Sequence, residues 1–341
     1  MNSFTLVDVL ALKPQGVQKL DIAERVCCTL ALAHLRGYAL PVARLPSLLL
    51  GGPVPRGELE AAIESDGRLE LQDGLVCLRG HGRLLPATRD RLSSHPAFEA
   101  IFDNLARSYV RELVARLPTV ECVAVAGSFA SGGLCSDDDL DLNLFVRDGS
   151  KFLSYLTALV LAARYGLRNG WSAGVKGCDG GAPGSDGHVE EMPLPLITKR
   201  VCINVIWERS EARPFVRTDA ALAFELLNSR PVYNAPYFDS VIASNPWLPS
   251  FFPQLAVRQT PATEVAPYPG GRLVPGVLEG VSRLGMGEAV SRRAVRLLHS
   301  LVAGYRSSYP RARDCAARKE RIKHPYGLLE LPRPAPSGRR G

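Results

Sequence analysis

The chain has 341 residues, is 46% hydrophobic and 22% charged, and carries a formal charge of +7. That length allows two or three domains with cores of their own, and the positive excess favours anionic partners without dictating a fold. No apolar run reaches the roughly 20 residues that a membrane-spanning helix needs, so no membrane partner is expected.

The start, MNSFTLVDVLALKPQ, lacks the basic stretch and long apolar run of a targeting segment. The eight cysteines contain no CxxC pair, which argues against structural zinc and a disulfide framework. Reduced thiols in a cytoplasmic protein are the expectation.

In chain order, Asp21 and Glu24 have the spacing of a capping box that opens a helix, and Gly37 is placed to close it. Ile22, Val26, Leu30 and Leu35 supply an apolar stripe between them. A second helical piece is expected at Val42–Leu50 and a third after Pro55. LELQDGLVCL then reads as two short strands around Asp73-Gly74, a dipeptide suited to a type I′ hairpin turn. Three helices followed by a hairpin is the order of a winged helix over residues 1–90. The third helix carries Arg56 against Glu58, Glu60 and Glu64, so both a nucleic-acid reader and an accessory packing unit stay open.

Residues 96–117 form an amphipathic helix lined by Phe98, Ile101, Phe102, Leu105, Tyr109, Leu113 and Leu117. VECVAVAG (120–127) and DLDLNLFV (139–146) read as strands, KFLSYLTALVLAARYGL (151–167) as a buried helix, and RVCINVIW (200–207) as a third strand of the same sheet. The glycine- and proline-rich segment 176–195 is expected to be a loop. Helices are expected at about 218–228, 236–243 and 276–304, within a helical region spanning 211–310. The Arg-rich residues 311–341 are expected to be a disordered tail able to touch nucleic acid.

The chemistry concentrates in GSFASGGLCSDDDLDLNLFV, residues 127–146, where four aspartates crowd into Asp137–Asp141. Asp139 and Asp141 are two apart in a strand and leave the same face. Two carboxylates on one face repel each other unless a cation joins them, and hard divalent cations such as Mg²⁺ or Mn²⁺ prefer such oxygens. Gly127 lets backbone approach a triphosphate closely, and Ser128 adds a hydroxyl. The expected site is therefore Asp139 and Asp141 as metal ligands, with Gly127 and Ser128 as nucleotide-binding residues.

Apolar strand, Gly-Ser, spacer and Asp-apolar-Asp-apolar together resemble the signature of the polymerase-β-like nucleotidyltransferases. LELQDGLVCLRG, VCINVIW, AFELLNSRPVYN and NPWLPSFFP extend the resemblance to prokaryotic nucleotidyltransferase-domain proteins with an N-terminal winged-helix-like domain, covering about residues 20–255. The resemblance implies an α+β fold: a nucleotidyltransferase core over 91–210, with a mixed sheet flanked by helices, after the winged-helix-like domain. It implies transfer of a nucleoside monophosphate from an NTP to an acceptor hydroxyl on a small molecule, RNA or protein. Asp139, Asp141 and the residue on the third strand would be catalytic. That third position, a carboxylate in active members of the superfamily, is matched by Asn204. An amide can ligate a metal but is no general base. The alternative is a degenerate relative that binds nucleotide or nucleic acid as a sensor or regulator.

Asp137, Asp138, Glu190, Glu191 and Glu208 are the substitutes for the missing charge, Glu208 lying on the same strand face as Asn204 and about 13 Å along the strand at about 3.3 Å per residue. Lys199 and Arg200 are candidate phosphate contacts; Glu225 and Asn228 are nucleotide-holding or packing residues. Trp247, Phe251 and Phe252 read as a packing corner, and His299 and His324 as isolated histidines.

Overall fold

The structure is a computed structural model that describes residues 6–136, 138–168, 201–257, 265–266 and 286–307. The loop 176–195, Lys199, Arg200, Glu190, Glu191, Asp137, His324 and the basic tail lie outside these residues, as does the side chain of His299.

The N-terminal part contains α1 (Leu6–Ala11), α2 (Pro14–Val17), α3 (Ile22–His34), β1 (Leu40–Pro41), α4 (Leu45–Leu48), α5 (Arg56–Ser65), β2 (Leu69–Gln72) and β3 (Leu75–Leu78). The capping box is present: Glu24 N donates to Asp21 Oδ1 at 2.8 Å and Asp21 N to Glu24 Oε2 at 3.0 Å. Asp73 and Gly74 take φ values of +50° and +74°, closing the β2–β3 hairpin in the left-handed region that this turn needs. The strands form an antiparallel sheet in the order β1-β3-β2. The expected second helix is shorter than the sequence suggests, a 3₁₀ turn at Val42–Arg44 followed by α4.

A long helix, α6 (Leu84–Arg116), follows. It begins twelve residues before the expected start at residue 96 and runs through Pro96, so one continuous element crosses the expected boundary at residue 90. Then come β4 (Val120–Val125), α7 (Gly127–Ser131), β5 (Leu140–Val146), α8 (Lys151–Arg168), β6 (Val201–Glu208), α9 (Arg209–Ala212), α10 (Ala220–Asn228), β7 (Arg230–Tyr233), α11 (Ala235–Ala243), α12 (Leu248–Phe251) and α13 (Met286–Ser307). The protein is α+β, with a mixed four-stranded sheet in the order β6-β5-β4-β7 flanked by helices. β4 is antiparallel to β5 and to β7, whereas β5 and β6 are parallel. A parallel pair needs a crossover, and α8 lies between the two strands in sequence. No helix among the described residues is long and apolar enough to cross a membrane.

Alternation along the strands divides the core. Val123, Val125, Leu140, Leu142, Leu144, Val201, Ile203 and Ile206 face α6, α8 and α13. Cys122, Ala124, Phe145, Val205 and Trp207 face the other way, into a core shared by the N-terminal elements and by α10, α11 and α12. Phe251 and Phe252 are fully buried there, and Trp247 stacks edge-on to Phe251. Residues 212–255 thus pack with the N-terminal part, while α13 packs on α8 through Glu288, whose carboxylate accepts from Phe152 N and Leu153 N, both at 2.9 Å.

Candidate functional site

β4 ends at Val125 and the chain turns through Gly127 into α7. Gly127 has a φ of +63°, and a Cβ there would overlap Asp141 Oδ2 and stand 2.9 Å from its Cγ. Only glycine lets the Asp141 carboxylate lie against this turn. Ala126 N donates to Asp141 O at 2.9 Å, which fixes the turn to β5. Ser128 is half-buried beside it.

The loop from α7 to β5 carries Asp139 and is held from α6. Ser94 Oγ donates to Leu134 O at 2.5 Å, and Leu134 N donates to His95 Nδ1 at 3.3 Å. Arg91 clasps Asp138 through 2.6 and 2.8 Å bonds, and Arg44 donates to Ser131 O. Asp138 also accepts from Cys135 N at 2.9 Å, so it is committed to the loop and is no substitute ligand.

Asp139 and Asp141 do share a face. Their carboxylate oxygens and Cys202 Sγ lie within 4.8 Å of one another. Asp139 has no hydrogen-bond or ion-pair partner among the described residues. Two hard oxygen ligands opening on a cleft fit Mg²⁺ or Mn²⁺, with the remaining positions left to substrate and water. The thiol of Cys202, opposite Asp141 in the parallel pairing, is a softer neighbour that the sequence reading passed over.

Asn204 enters by an irregularity. The β5–β6 register runs Asp141 to Cys202 and Leu142 to Ile203, then Asn143 to Val205, so Asn204 is an extra residue in a bulge. Its Nδ2 donates to Asn143 Oδ1 at 2.9 Å and to Glu225 Oε1 at 3.3 Å. The orientations follow from a chain of donors. Ser229 Oγ gives its proton to Glu225 O, so it must accept from Asn143 Nδ2 at 3.0 Å. Asn143 Nδ2 also reaches Glu225 Oε1 at 2.9 Å, which leaves Asn143 Oδ1 to accept from Asn204. Glu225 is buried and ion-paired to Arg36, which also lies 5.5 Å from the Phe224 ring centroid.

The same bulge removes Glu208 from consideration. Beyond it the alternation is shifted, and the Glu208 carboxylate accepts from Gly149 N at 2.9 Å and Lys151 N at 3.3 Å, at the start of α8. Burial, then Glu211, pushes its carboxyl pKa up. Glu225 is the carboxylate beside Asn204, and it comes from a helix and not from a strand. Asn228 bonds back to Phe224 O at 2.8 Å, a packing role within α10.

These residues line a cleft of about 1090 Å³ between the sheet and the N-terminal part. Gly127, Ser128, Asp139, Asp141, Cys202 and Asn204 form one side; Arg36, Tyr38, Arg44 and Arg83 are on the N-terminal side. Such a cleft can hold a metal and a triphosphate on the carboxylate side with cations facing them. No protein-family model, no curated protein and no solved structure matches this chain.

Proposed function

We propose that this protein is a metal-dependent nucleotidyltransferase of the polymerase-β-like kind, moving a nucleoside monophosphate from an NTP to an acceptor hydroxyl. The observation that carries the reading is the convergence of Asp139 and Asp141, the former without a partner among the described residues, beside the glycine turn in one large cleft. Asp139 and Asp141 would hold Mg²⁺ or Mn²⁺, which supplies charge stabilisation to phosphoryl oxygens when bound. Gly127 and Ser128 would receive the triphosphate. In the reaction the acceptor oxygen bonds to the α-phosphorus and the bond from that phosphorus to the β-bridging oxygen breaks. Pyrophosphate leaves with the electron pair. Glu225 is engaged by Arg36, Asn143 and Asn204, so among the described residues no carboxylate beside the metal pair is open to the acceptor's proton, which passes to water in the cleft. A reaction without a side-chain base forgoes a contribution of about 10²–10⁴-fold. Cys27, Cys28, Cys77, Cys122, Cys135 and Cys202 are buried and not in disulfides, which suits a reducing cytoplasm.

That engagement favours a second reading, a relative that binds nucleotide as a sensor or regulator without turnover. One experiment separates the two. The full chain is incubated with each labelled NTP, Mg²⁺ or Mn²⁺, and a cell extract. Transfer predicts a labelled product that disappears in Asp139→Asn. Metal-dependent NTP binding with no labelled product from any nucleotide supports the sensor; neither binding nor product refutes both.

A further inference from the structure

The cleft is larger than the carboxylate side requires. Small-molecule sites commonly enclose about 300–1,000 Å³, and this one, at about 1090 Å³, exceeds that range. Its N-terminal wall is built from the end of α3, the segment after it, and the start of α6. Arg36, Arg44 and Arg83 stand on that wall, with Asp90 as a carboxylate on the same side. Arg36 is paired with Glu225, and the Arg44 guanidinium donates to the carbonyl of Ser131, with no ion pair among the described residues. Arg83 is exposed and has no ion pair or hydrogen bond among the described residues.

Tyr38 supplies an independent observation. It lines the same cleft, and its hydroxyl is closed to solvent with no hydrogen-bond partner among the described residues, so a ligand reaches it by displacing a neighbouring side chain. An unmade hydrogen bond at a buried hydroxyl is costly, and a donor kept in that state among arginines is suited to an anionic acceptor. Burial pushes the phenol pKa up, while Arg36 and Arg44 are near enough to act on it in the opposite sense. The hydroxyl is therefore a proton donor at neutral pH.

We propose that the Arg36–Tyr38–Arg44–Arg83 wall is a second-substrate subsite that binds the phosphate group of a small phosphorylated acceptor. It rests on the nucleotidyltransferase reading for the word acceptor, but the anion site stands on its own geometry. Arginine presents the planar fork that suits phosphate, and a tyrosine hydroxyl adds a directed donor. A small ester is favoured over a nucleic-acid strand because the arginines of this wall sit inside a cleft of about 1090 Å³. On α5, Arg56 is tied to Glu60, and Glu58 and Glu64 add negative charge, so this helix offers no basic surface. A polyanion would need a basic stripe.

The test is calorimetric titration of the full chain with ribose 5-phosphate in the presence of a chelator. Saturable binding is expected, weakened about tenfold or more in Arg83→Ala and in Tyr38→Phe, since each removes one charge-assisted bond. Tyr38→Phe should leave the thermal stability of the ligand-free protein unchanged or higher, because the lost hydroxyl is buried without a hydrogen-bond partner among the described residues. Asp139→Asn should keep ribose 5-phosphate binding while losing metal-dependent NTP binding. If wild type binds ribose 5-phosphate but no NTP, the nucleotidyltransferase reading fails and the anion site stands. Absence of saturable binding, equal affinity in Arg83→Ala and Tyr38→Phe, or loss of binding in Asp139→Asn would each overturn the subsite. Tighter binding of a single-stranded RNA oligonucleotide, competing with the sugar phosphate and gaining affinity with length, would overturn the small acceptor.

Discussion

Asn204 shows how one side chain sets the character of the site. Its amide gives both protons away, to Asn143 and to Glu225, and so satisfies two acceptors on the protein side of the cleft. Aspartate there would lose both donors and bring a second carboxylate against Glu225. We therefore expect Asn204→Asp to destabilise the metal-free protein at pH 7 by about 1–3 kcal/mol, the cost of leaving buried polar groups unpaired. Repulsion raises the folded pKa of the new carboxyl above its unfolded value. The folded variant then binds more protons, so its stability is fuller at low pH and falls as pH rises through the folded pKa. Urea unfolding in chelator at pH 5 and pH 7 checks this. A variant as stable as wild type at both values would show that the amide does not hold the network.

At the scale of elements, helix and hairpin meet through a histidine pair. His34 closes α3 and stacks on His81 beyond β3, with ring centroids 4.6 Å apart. Both His34 ring nitrogens are buried without hydrogen-bond partners among the described residues, and burial followed by the repulsion of His81 lowers its pKa from 6.5 to about 4. The unfolded chain then takes up the proton first, so stability is full above 6.5, declines as pH falls, and loses about 3 kcal/mol by about 4. His34→Leu should flatten that limb of the stability–pH profile relative to wild type. Glu208, raised by burial, acts in the opposite sense in both proteins and cancels in the difference. Parallel limbs for the two proteins between pH 4 and 6.5 would contradict this account.

Elements whose cues are local were legible in the sequence: the capping box, the Asp73-Gly74 turn, and the strands β4, β5 and β6. Gly127, Ser128, Asp139 and Asp141 could be found because they lie within one strand–turn–strand passage. Glu225 stood out only as a nucleotide-holding or packing residue and Arg36 not at all, since their meeting with Asn204 depends on how α3 and α10 pack. A one-residue bulge leaves no mark in an alternating apolar run, so Glu208 was placed on the wrong face. β7 was missed because Pro231 argues against a strand, yet an edge position tolerates it. Pro96 in α6 misled in the same way, by suggesting a helix start where the helix was already three turns long.

For the whole molecule, the decisive feature is a core that joins distant parts of the chain. Leu30, Leu45 and Leu49 of the N-terminal part are packed in one cluster with Leu222, Phe224, Phe251 and Phe252. A fragment of residues 1–90 would expose that surface and end inside α6. It should show no cooperative thermal transition by circular dichroism, whereas the full chain should show one; a sharp transition in the fragment would mean that the shared core is dispensable. The shared core also has a functional consequence, because it holds the arginine wall opposite Asp139 and Asp141. The most direct test of the central claim is calorimetric titration of the full chain with a non-hydrolysable NTP, with and without Mg²⁺, in wild type and in Asp139→Asn. The account predicts saturable, Mg²⁺-dependent binding in wild type that is lost in the variant while its fold is retained. Affinity that is the same with and without Mg²⁺, or the same in both proteins, would contradict it.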